Sequence, residues 1–514
     1  MNWMEHLPAL IIATPLLAAF ITPLIDKISK KARNAIVFIA LAATFILSIF
    51  LVRDVFENGI RIYVMGASNP TKTIPIQAAV PIRIVLEIDG LAAFMILIST
   101  LIALVALIFS FSHIKERGGK FYTLFLLTVV GMLGMELTGD LFNLFVFLEI
   151  ASIASAALIA YEFKRGSTTE AAIKYIVISS LAALFVLFAI GLLYGEYDLL
   201  NMAAIAKAIE ITGLSNIDKI ALILFFAAFA MKAGAAPMHM WMPDAYGEAP
   251  GAISLVLIAV TQASLYAMLR VCFTIYANSL HIIIPAAIII LGLISIFIGV
   301  TMALIQDDVK RLIAYAAVAE VGYILLAIGV GLYGVLNNEV EAYARKALQG
   351  GIFHIFNDVL DIGLLFLVAG GIIYITKERN LNKLGGLAHS MKYTSLLFLI
   401  GLAAVAGLPP MNGFASKIMI YESVYKVSPI LSIIAILASI IMLAIFVKIF
   451  HSVFTGPKIE EHKEVPKLML VSMIILAALI IIFGLFPDLI IKNVVDPAVN
   501  ALIENAAYIA RVMG

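Results

Sequence analysis

Two lysines lie in stretches of the sequence that are otherwise apolar. Lys232 is in Ile217–Pro237, where the only other charged residues are at the first positions of the stretch. Lys417 is in Tyr393–Tyr421, directly after the sequence GLPPMNGF. A charged side chain at the centre of a membrane helix raises the free energy of insertion by roughly 2.5–3.5 kcal/mol. Ionisable residues in such helices commonly belong to ion pathways, so both lysines are predicted to carry ions.

A carboxylate in an earlier apolar stretch is the candidate partner of the first lysine. Glu149 lies in LFNLFVFLEIASIASAAL, nine residues after Asp140. Burial favours the neutral form of a carboxyl group, whereas a nearby ammonium favours the ionised form. A Glu149–Lys232 pair therefore has two states, one ionised and one neutral after proton transfer. The alternative is a static buried ion pair that only fixes packing.

Further polar side chains continue this series toward Lys417. Gln262 lies in AVTQASLYAMLR and can hydrate a path without titrating, and Glu320 lies in AYAAVAEVGYILL. One later stretch has ionisable residues at spacings of four and three, which places them on one face of a helix: His354, Asp358 and Asp361. We predict that these groups form a proton relay that ends at Lys417.

Several other polar residues have less certain roles. His239 follows the apolar stretch of Lys232 and is either an access group or a satisfied interfacial histidine. Arg270 and Lys448 lie near helix ends, from which their charged groups are expected to extend to the membrane interface. Glu136 lies close to the end of a predicted helix, and its role stays open.

Composition places the chain in the membrane and limits its chemistry. The sequence is 63% hydrophobic and 13% charged with a mean hydropathy of +1.09, against about 25% charged residues in soluble domains. Its net charge of +1 gives no reason to expect a nucleic-acid partner. The single cysteine, Cys272, excludes an intrachain disulfide and a cysteine-ligated iron–sulfur cluster, and the histidines lack metal-binding spacing. Any redox chemistry is therefore expected in another chain.

The apolar stretches predict an all-α polytopic membrane protein. A span needs about 20 apolar residues, and fourteen candidates are present: Pro8–Ile25, Ala35–Val52, Asp89–Phe111, Phe121–Leu137, Leu141–Tyr161, Ala171–Tyr194, Ile217–Pro237, Ala252–Tyr276, Ile282–Leu304, Leu312–Gly331, Ala347–Ile373, Tyr393–Tyr421, Pro429–Phe450 and Leu468–Phe486. The link Arg53–Glu87 has alternating β-branched residues and prolines, which predicts an extracytoplasmic β-hairpin.

The distribution of basic residues predicts the orientation in the cell membrane. Cytoplasmic loops are enriched in Lys and Arg. Most basic loop residues share one side when both termini are extracytoplasmic: Lys27, Lys30, Lys31, Arg33, Lys115, Arg117, Lys120, Lys164, Arg165, Lys310, Arg311, Lys377, Arg379, Lys383, Lys458, Lys463 and Lys467.

Interruptions recur in the seventh and twelfth spans. Their sequences are KAGAAPMHMWMP and AGLPPMNGFASK, each beside its lysine. Paired broken helices in two halves of a transporter indicate inverted repeats with a site near the membrane midplane. We predict four regions: helices 1–3 with the hairpin link in 1–120, a five-helix repeat in 121–276, an inverted repeat in 282–450, and a C-terminal helix and tail in 451–514.

Several motifs resemble those of one known family. The stretch GMELTGDLFNLFVFLEIASIAS resembles the fifth-helix signature of the antiporter-like subunits of respiratory complex I, Mrp-type sodium/proton antiporters and energy-converting membrane hydrogenases. KAGAAPMHMWMPDAYGEAPGAIS is similar to the seventh-helix signature, usually written PLHxWLPDAHxEAPxPVS. AYAAVAEVGYILL, HIFNDVLDIGLLFLVAGGI and GLPPMNGFASK resemble later signatures in the same order.

The resemblance covers roughly Asp89 to Phe450 and implies fourteen spans with a charged axis along the membrane midplane. By motif, Glu149 corresponds to the glutamate of the fifth helix, and Lys232 and Lys417 to the lysines of the seventh and twelfth. The chain departs from the family where Gln262 replaces a lysine and Glu320 a histidine. It departs again where Asp358 and Tyr246 replace histidines, and where a lysine position falls on Ile362, beside Asp361.

The resemblance implies a proton-translocating subunit of a redox-driven complex. Its partners would be other membrane subunits and hydrophilic redox subunits that hold iron–sulfur clusters and nickel–iron centres. The exchange of bases for carboxylates and the single cysteine favour a thermophilic source and the archaeal hydrogenase or sulfur-reductase branch. Two alternatives stay open: an Mrp-type antiporter subunit that binds sodium through the extra carboxylates, and a structural subunit whose pathway is interrupted at Gln262.

Overall fold

The computed structural model describes residues 3–66, 84–162, 165–457 and 461–513. Most of these residues are helical: α1 Leu7–Asp26, α2 Lys30–Asn58, α3 Gly90–His113, α4 Gly118–Leu137, α5 Leu141–Ile159, α6 Gly166–Tyr197, α7 Met202–Thr212, α8 Asn216–Lys232, α9 Trp241–Glu248, α10 Gly251–Arg270, α11 Ile283–Leu304, α12 Val309–Leu336, α13 Arg345–Thr376, α14 Lys392–Val405, α15 Asn412–Val427, α16 Pro429–Phe450, α17 Lys467–Leu485, α18 Pro487–Ile490, α19 Asp496–Ile503 and α20 Asn505–Met513. The prediction of an all-helical membrane fold is confirmed.

The span count agrees with the predicted one where the helices are continuous. Twelve helices of the described residues are long and apolar enough to cross a membrane. At the predicted seventh span, α8 ends early and the short helix α9 follows beyond the predicted boundary. The predicted twelfth span is divided into two shorter helices, α14 and α15. If each divided pair crosses once, the total is fourteen, and that total stays a prediction. Two of the basic residues used for the orientation, Lys164 and Lys458, lie outside the described residues.

The predicted hairpin is present in the link after α2. Strand β1, Arg61–Val64, pairs antiparallel with β2, Val85–Ile88, and residues 67–83 of the link lie outside the described residues. The main chain of β2 also contacts the α4–α5 turn, where Gly139 N donates to Val85 O at 3.0 Å. We call the side of the molecule that carries β1 and β2 the hairpin face, and the other side of the helical bundle the opposite face.

The two broken spans share one backbone design. Helix α8 ends at Lys232 and is followed by Gly234 with φ 70°, while α14 ends at Val405 and is followed by Gly407 with φ 71°. A cis proline lies three residues after each glycine, at Pro237 and Pro410. Glycine adopts a positive φ without steric strain, which allows each helix to end inside an apolar segment. The positive-φ glycine thus ends a helix at both interruptions, while the inverted repeats stay a prediction.

Helices α10, α12 and α13 form the interior wall of the bundle. All residues in the most apolar part of α10 and of α12 are buried within the chain. In α1, α2, α6 and α16, less than half of the corresponding residues are buried. Helices α10 and α13 approach closely, because a Cβ on Gly251 would lie 3.1 Å from Gly370 Cα. Polar side chains on α10, α12 and α13 are therefore held inside the protein rather than against lipid.

The residues after α17 fold rather than forming an extended tail. They make the short helices α18, α19 and α20, which pack on the hairpin face. Tyr508 donates a hydrogen bond to Glu87 of β2, and Arg345 Nη1 donates to Asn500 Oδ1 at 2.7 Å. The tail of the predicted region 451–514 is therefore packed against the rest of the chain, since apolar positions such as Val499 and Leu502 are buried.

Gly234→Ala should destabilise the protein, because its positive φ disfavours a Cβ by about 1–2 kcal/mol. The added Cβ would also clash with Met242 Cε. The midpoint of thermal unfolding of the detergent-solubilised protein measures the effect. Gly191→Ala is the control, since a Cβ there has open space within α6. Equal midpoints for the two variants would contradict this account of the break.

Candidate functional site

Three ionisable side chains from three helices meet beside the second break. Lys417 Nζ of α15 donates to Glu320 Oε1 of α12 at 2.9 Å. The other oxygen of Glu320 lies 2.7 Å from His354 Nε2 of α13. All three side chains are buried, with residue exposures of 1–2%. One carboxylate thus bridges a lysine and a histidine, an arrangement that can pass a proton between two bases.

Asp361 lies on the same side of α13 and is held by amide groups. Asn412 Nδ2 donates to Asp361 Oδ1 at 2.9 Å and to Asn357 Oδ1 at 3.0 Å. Asn357 Nδ2 in turn donates to Ser416 Oγ at 2.8 Å, and that hydroxyl lies 2.9 Å from His354 Nδ1. The asparagines and the serine thereby connect Asp361 to the histidine through hydrogen bonds.

Asp358 faces the eighth span instead. Gln262 Nε2 of α10 donates to Asp358 Oδ2 at 2.5 Å. Asp358 Oδ1 and Gln262 Oε1 are buried and accept no hydrogen bond from the described residues. The order of groups in space therefore differs from their order along the chain, because Gln262 contacts Asp358 and not Glu320.

The first lysine is held differently from the prediction. Lys232 is 5% exposed, and its Nζ donates to Ser152 of α5, with the ring of Tyr175 at 5.8 Å. Among the described residues no ion pair within 4.0 Å joins Lys232 to Glu149. Ser152 is three residues after Glu149 and so lies on the same side of α5. The predicted pair is therefore not in direct contact, and the ammonium of Lys232 is held by the Ser152 hydroxyl instead.

Both lysines lie at the carboxyl end of a broken helix. Lys232 is the last residue of α8, and Lys417 Nζ donates to the carbonyl of Val405, the last residue of α14, at 2.7 Å. A helix end leaves carbonyl groups without partners and carries partial negative charge, so it favours a cation. This interaction accounts for a lysine beside each interruption.

Two other predicted positions have different outcomes. His239 is buried between the two halves of the seventh span, with its ring centroid 6.2 Å from that of Tyr315 of α12. Its proposed role in access stays a prediction. Arg270 does not extend to the membrane interface as expected, because it is 2% exposed and its Nη1 donates to Asp89 Oδ2 at 2.6 Å. A carboxylate at the start of α3 satisfies the guanidinium inside the protein.

The neutral members of the site are absent from the sequence predictions. Ser152, Ser416 and Asn412 hydrogen-bond to its ionisable residues, and Asn357 joins Ser416 to Asn412. Spacing alone indicates two of them, since Ser152 follows Glu149 by three residues and Asn357 follows His354 by three. The other two depend on how α15 packs against α13, which spacing does not show.

Residues 138–443 match the family described as "NADH:quinone oxidoreductase/Mrp antiporter, TM". The chain belongs to this family. The match contains every predicted site residue, from Glu149 to Lys417. The resemblance inferred from the motifs is thereby confirmed, and the chain is an antiporter-like membrane subunit.

Relatives of this antiporter-like subunit come from different kinds of assembly. NADH-quinone oxidoreductase subunit N of Desulforudis audaxviator is 31% identical over 96% of this chain and 98% of the relative. A Na(+)/H(+) antiporter subunit of Alkalihalophilus pseudofirmus is 31% identical over 92% of this chain and 92% of the relative. A chain in the structure of the membrane-bound sulfane sulfur reductase, an archaeal respiratory membrane complex, is 29% identical with a TM-score of 0.85, covering 98% of this chain and 99% of that one.

Glu320→Gln should destabilise the subunit by about 3–5 kcal/mol, because it leaves Lys417 buried without its counter-charge. Adding Lys417→Met should recover part of this loss. Thermal unfolding in detergent gives both values, with Glu57→Gln as the control at an exposed ion pair with Arg53, which contributes little to stability. A double variant no more stable than Glu320→Gln would contradict a direct interaction.

Proposed function

We propose that this antiporter-like subunit translocates protons for a redox-driven membrane complex. The observation that carries the proposal is the buried bridge from Lys417 through Glu320 to His354. Burying ionisable groups in a membrane bundle lowers stability, and the groups that are retained commonly belong to ion pathways. The cell membrane is its proposed location, with both termini on the extracytoplasmic side. The hairpin face would then be extracytoplasmic and the opposite face cytoplasmic.

The first half of the pathway would respond to charge. A redox step in a partner subunit would change the charge near Glu149, which would act through space on the ammonium of Lys232, itself held by Ser152. Weakening this interaction favours the neutral amine of Lys232 and releases its proton toward Gln262. A hydroxyl pair precedes Gln262 along this direction, since Tyr246 Oη lies 2.5 Å from Thr261 Oγ1. His239 would supply protons from the opposite face.

The second half would deliver the proton to Lys417. Asp358 receives the proton at Gln262, and His354, Glu320 and Asp361 lie on the side of α13 toward Lys417. Each of these groups can gain and lose a proton, whereas the amide of Gln262 cannot. Gln262 then orders a proton path without interrupting it.

An exit from Lys417 leads toward the hairpin face. The lysine lies 4.5 Å from the ring of Tyr323, whose hydroxyl is 3.0 Å from Ser439 Oγ. The same serine lies 2.6 Å from the hydroxyl of Tyr421, which lines a cavity of about 450 Å³ together with Glu422. Protons leaving Lys417 would reach water through these hydroxyls.

The partners follow from the same proposal. This chain would assemble with other membrane subunits and with hydrophilic subunits that carry iron–sulfur and nickel–iron centres. The similarity to the sulfane sulfur reductase chain and to NADH-quinone oxidoreductase subunit N supports this assignment. Similarity to a Na(+)/H(+) antiporter subunit supports the second candidate, an Mrp-type antiporter subunit that exchanges sodium for protons.

Lys232→Ala and Lys417→Ala should each lower proton translocation by about tenfold or more, because each removes an ionisable group that the pathway cannot bypass. Acidification of vesicles that contain the native complex measures the rate. Lys448→Ala is the matched control, since Lys448 lies in a membrane helix but is exposed. Undiminished translocation in both site variants would leave only a structural role.

Gentle purification of the tagged native subunit tests the redox partners. Mass spectrometry together with iron and nickel analysis should find iron–sulfur or nickel-containing subunits in the complex. Membrane subunits without metal, combined with proton transport that depends on sodium and not on an electron donor, would favour the Mrp-type antiporter instead.

A further inference from the structure

Helix α10 carries a row of polar side chains from the site to the hairpin face. Gln262, Tyr266 and Arg270 follow one another at four-residue spacing, so they share one face over about 12 Å of helix. Gln262 contacts Asp358 of the site, and Arg270 contacts Asp89 at the start of α3. The row therefore joins the site to the hairpin face along a route separate from the exit at Lys417.

The middle of this row contacts the backbone of Glu136, a residue whose carboxyl group the pathway from Lys232 to Lys417 does not use. Glu136 is fully buried, and Tyr266 donates to its backbone carbonyl at 2.8 Å. Ser99 Oγ donates to Glu136 Oε1 at 2.5 Å, while Oε2 accepts no hydrogen bond from the described residues. Buried polar oxygens normally have partners. This free oxygen gives Glu136 a position at which to accept a proton.

A charged barrier at the end of the row separates Glu136 from water at the hairpin face. Arg270 binds both oxygens of Asp89, and its Nε donates to Tyr266 Oη at 2.9 Å. A guanidinium keeps its proton in proteins, so Arg270 is a fixed positive charge and not a carrier. Such a charge repels protons in a narrow pathway. The ion pair with Asp89 holds it in place.

An open cavity begins on the other side of this barrier. Its volume is about 410 Å³, and it is lined by buried Asp89 and Tyr508 and by exposed Glu504 and Arg511. Tyr508 also donates to Glu87. Burial raises the pKa of Glu87 to about 7, against hydrogen bonds from Tyr508 and Asn201 that lower it, so this carboxyl exchanges protons near neutral pH.

We propose that this row is a second proton exit, which leaves the site at Asp358 and reaches the cavity through Glu136, with the Arg270–Asp89 ion pair as its gate. A proton would pass from Asp358 along Gln262 to the free oxygen of Glu136 and then past Tyr266. When the gate opens, it would pass the position of the Arg270–Asp89 pair and leave to water in the cavity, with Glu87 as the carboxyl that exchanges it there. The inference rests on the proposed proton translocation, because it takes its proton from that pathway.

Opening the gate without leaving an unpaired charge gives the most direct test. Arg270→Gln with Asp89→Asn removes both charges, and asparagine keeps the helix cap that Asp89 makes with Ala92 N. In vesicles that contain the native complex, this double variant should dissipate an imposed pH gradient several-fold faster than wild type. Adding Glu136→Gln should return the leak to near the wild-type rate, whereas adding Glu210→Gln, at an exposed ion pair with Lys207, should not.

A structural defect would not be repaired by a third substitution, so this pattern is specific to a path through Glu136. No leak in the double variant, or a leak that persists after Glu136→Gln, would overturn the proposal. If the double variant fails to assemble, Glu136→Gln added to Lys417→Ala should lower the residual driven translocation several-fold at unchanged yield, and an unchanged residual rate would overturn the proposal. The leak needs no electron donor, so its outcome is independent of translocation by the Lys232 and Lys417 variants.

Discussion

A helix that ends inside a membrane must find donors for its last carbonyl groups, and this constraint fixes the position of the charged site. At the second break, Lys417 donates to the carbonyl of Val405 and to Glu320, so one ammonium satisfies both the backbone and a buried acid. Irregular backbone at membrane depth is tolerated only where protein or water satisfies it. The lysine thereby supports the fold at the break and provides the titratable group that transport needs.

Helix α13 distributes the remaining charges around this fixed point. His354 contacts Ser416 and Asp361 contacts Asn412, both in α15, whereas Asp358 contacts α10. The close approach of Gly251 and Gly370 holds α10 and α13 in register, so the contact between Gln262 and Asp358 depends on backbone packing as well as on its hydrogen bond. Hydrogen bonds through neutral side chains connect Asp361 to His354, Glu320 and Lys417.

The sequence predicts those features that depend on local pattern. The hairpin, the two broken spans and the buried lysines follow from periodicity, glycine and proline positions and the cost of burying charge. The contacts do not follow from local pattern, because the hydrogen bond from Lys232 to Ser152 and the one from Gln262 to Asp358 depend on how distant helices pack. Arg270 shows the same limit. Its position near a helix end predicts that its charged group extends to the membrane interface, but Asp89, 181 residues away in the chain, binds it inside the protein.

The bond between Tyr508 and Glu87 has a consequence for biosynthesis. Its partners are 421 residues apart, and the tyrosine belongs to the last described helix. Translation proceeds from the amino terminus, so β1 and β2 emerge long before α20 can cover them. The early strands must wait beside the membrane with Glu87 uncovered until that helix arrives. Closure of this part of the hairpin face is therefore a late event in maturation, after the interior helices have been inserted.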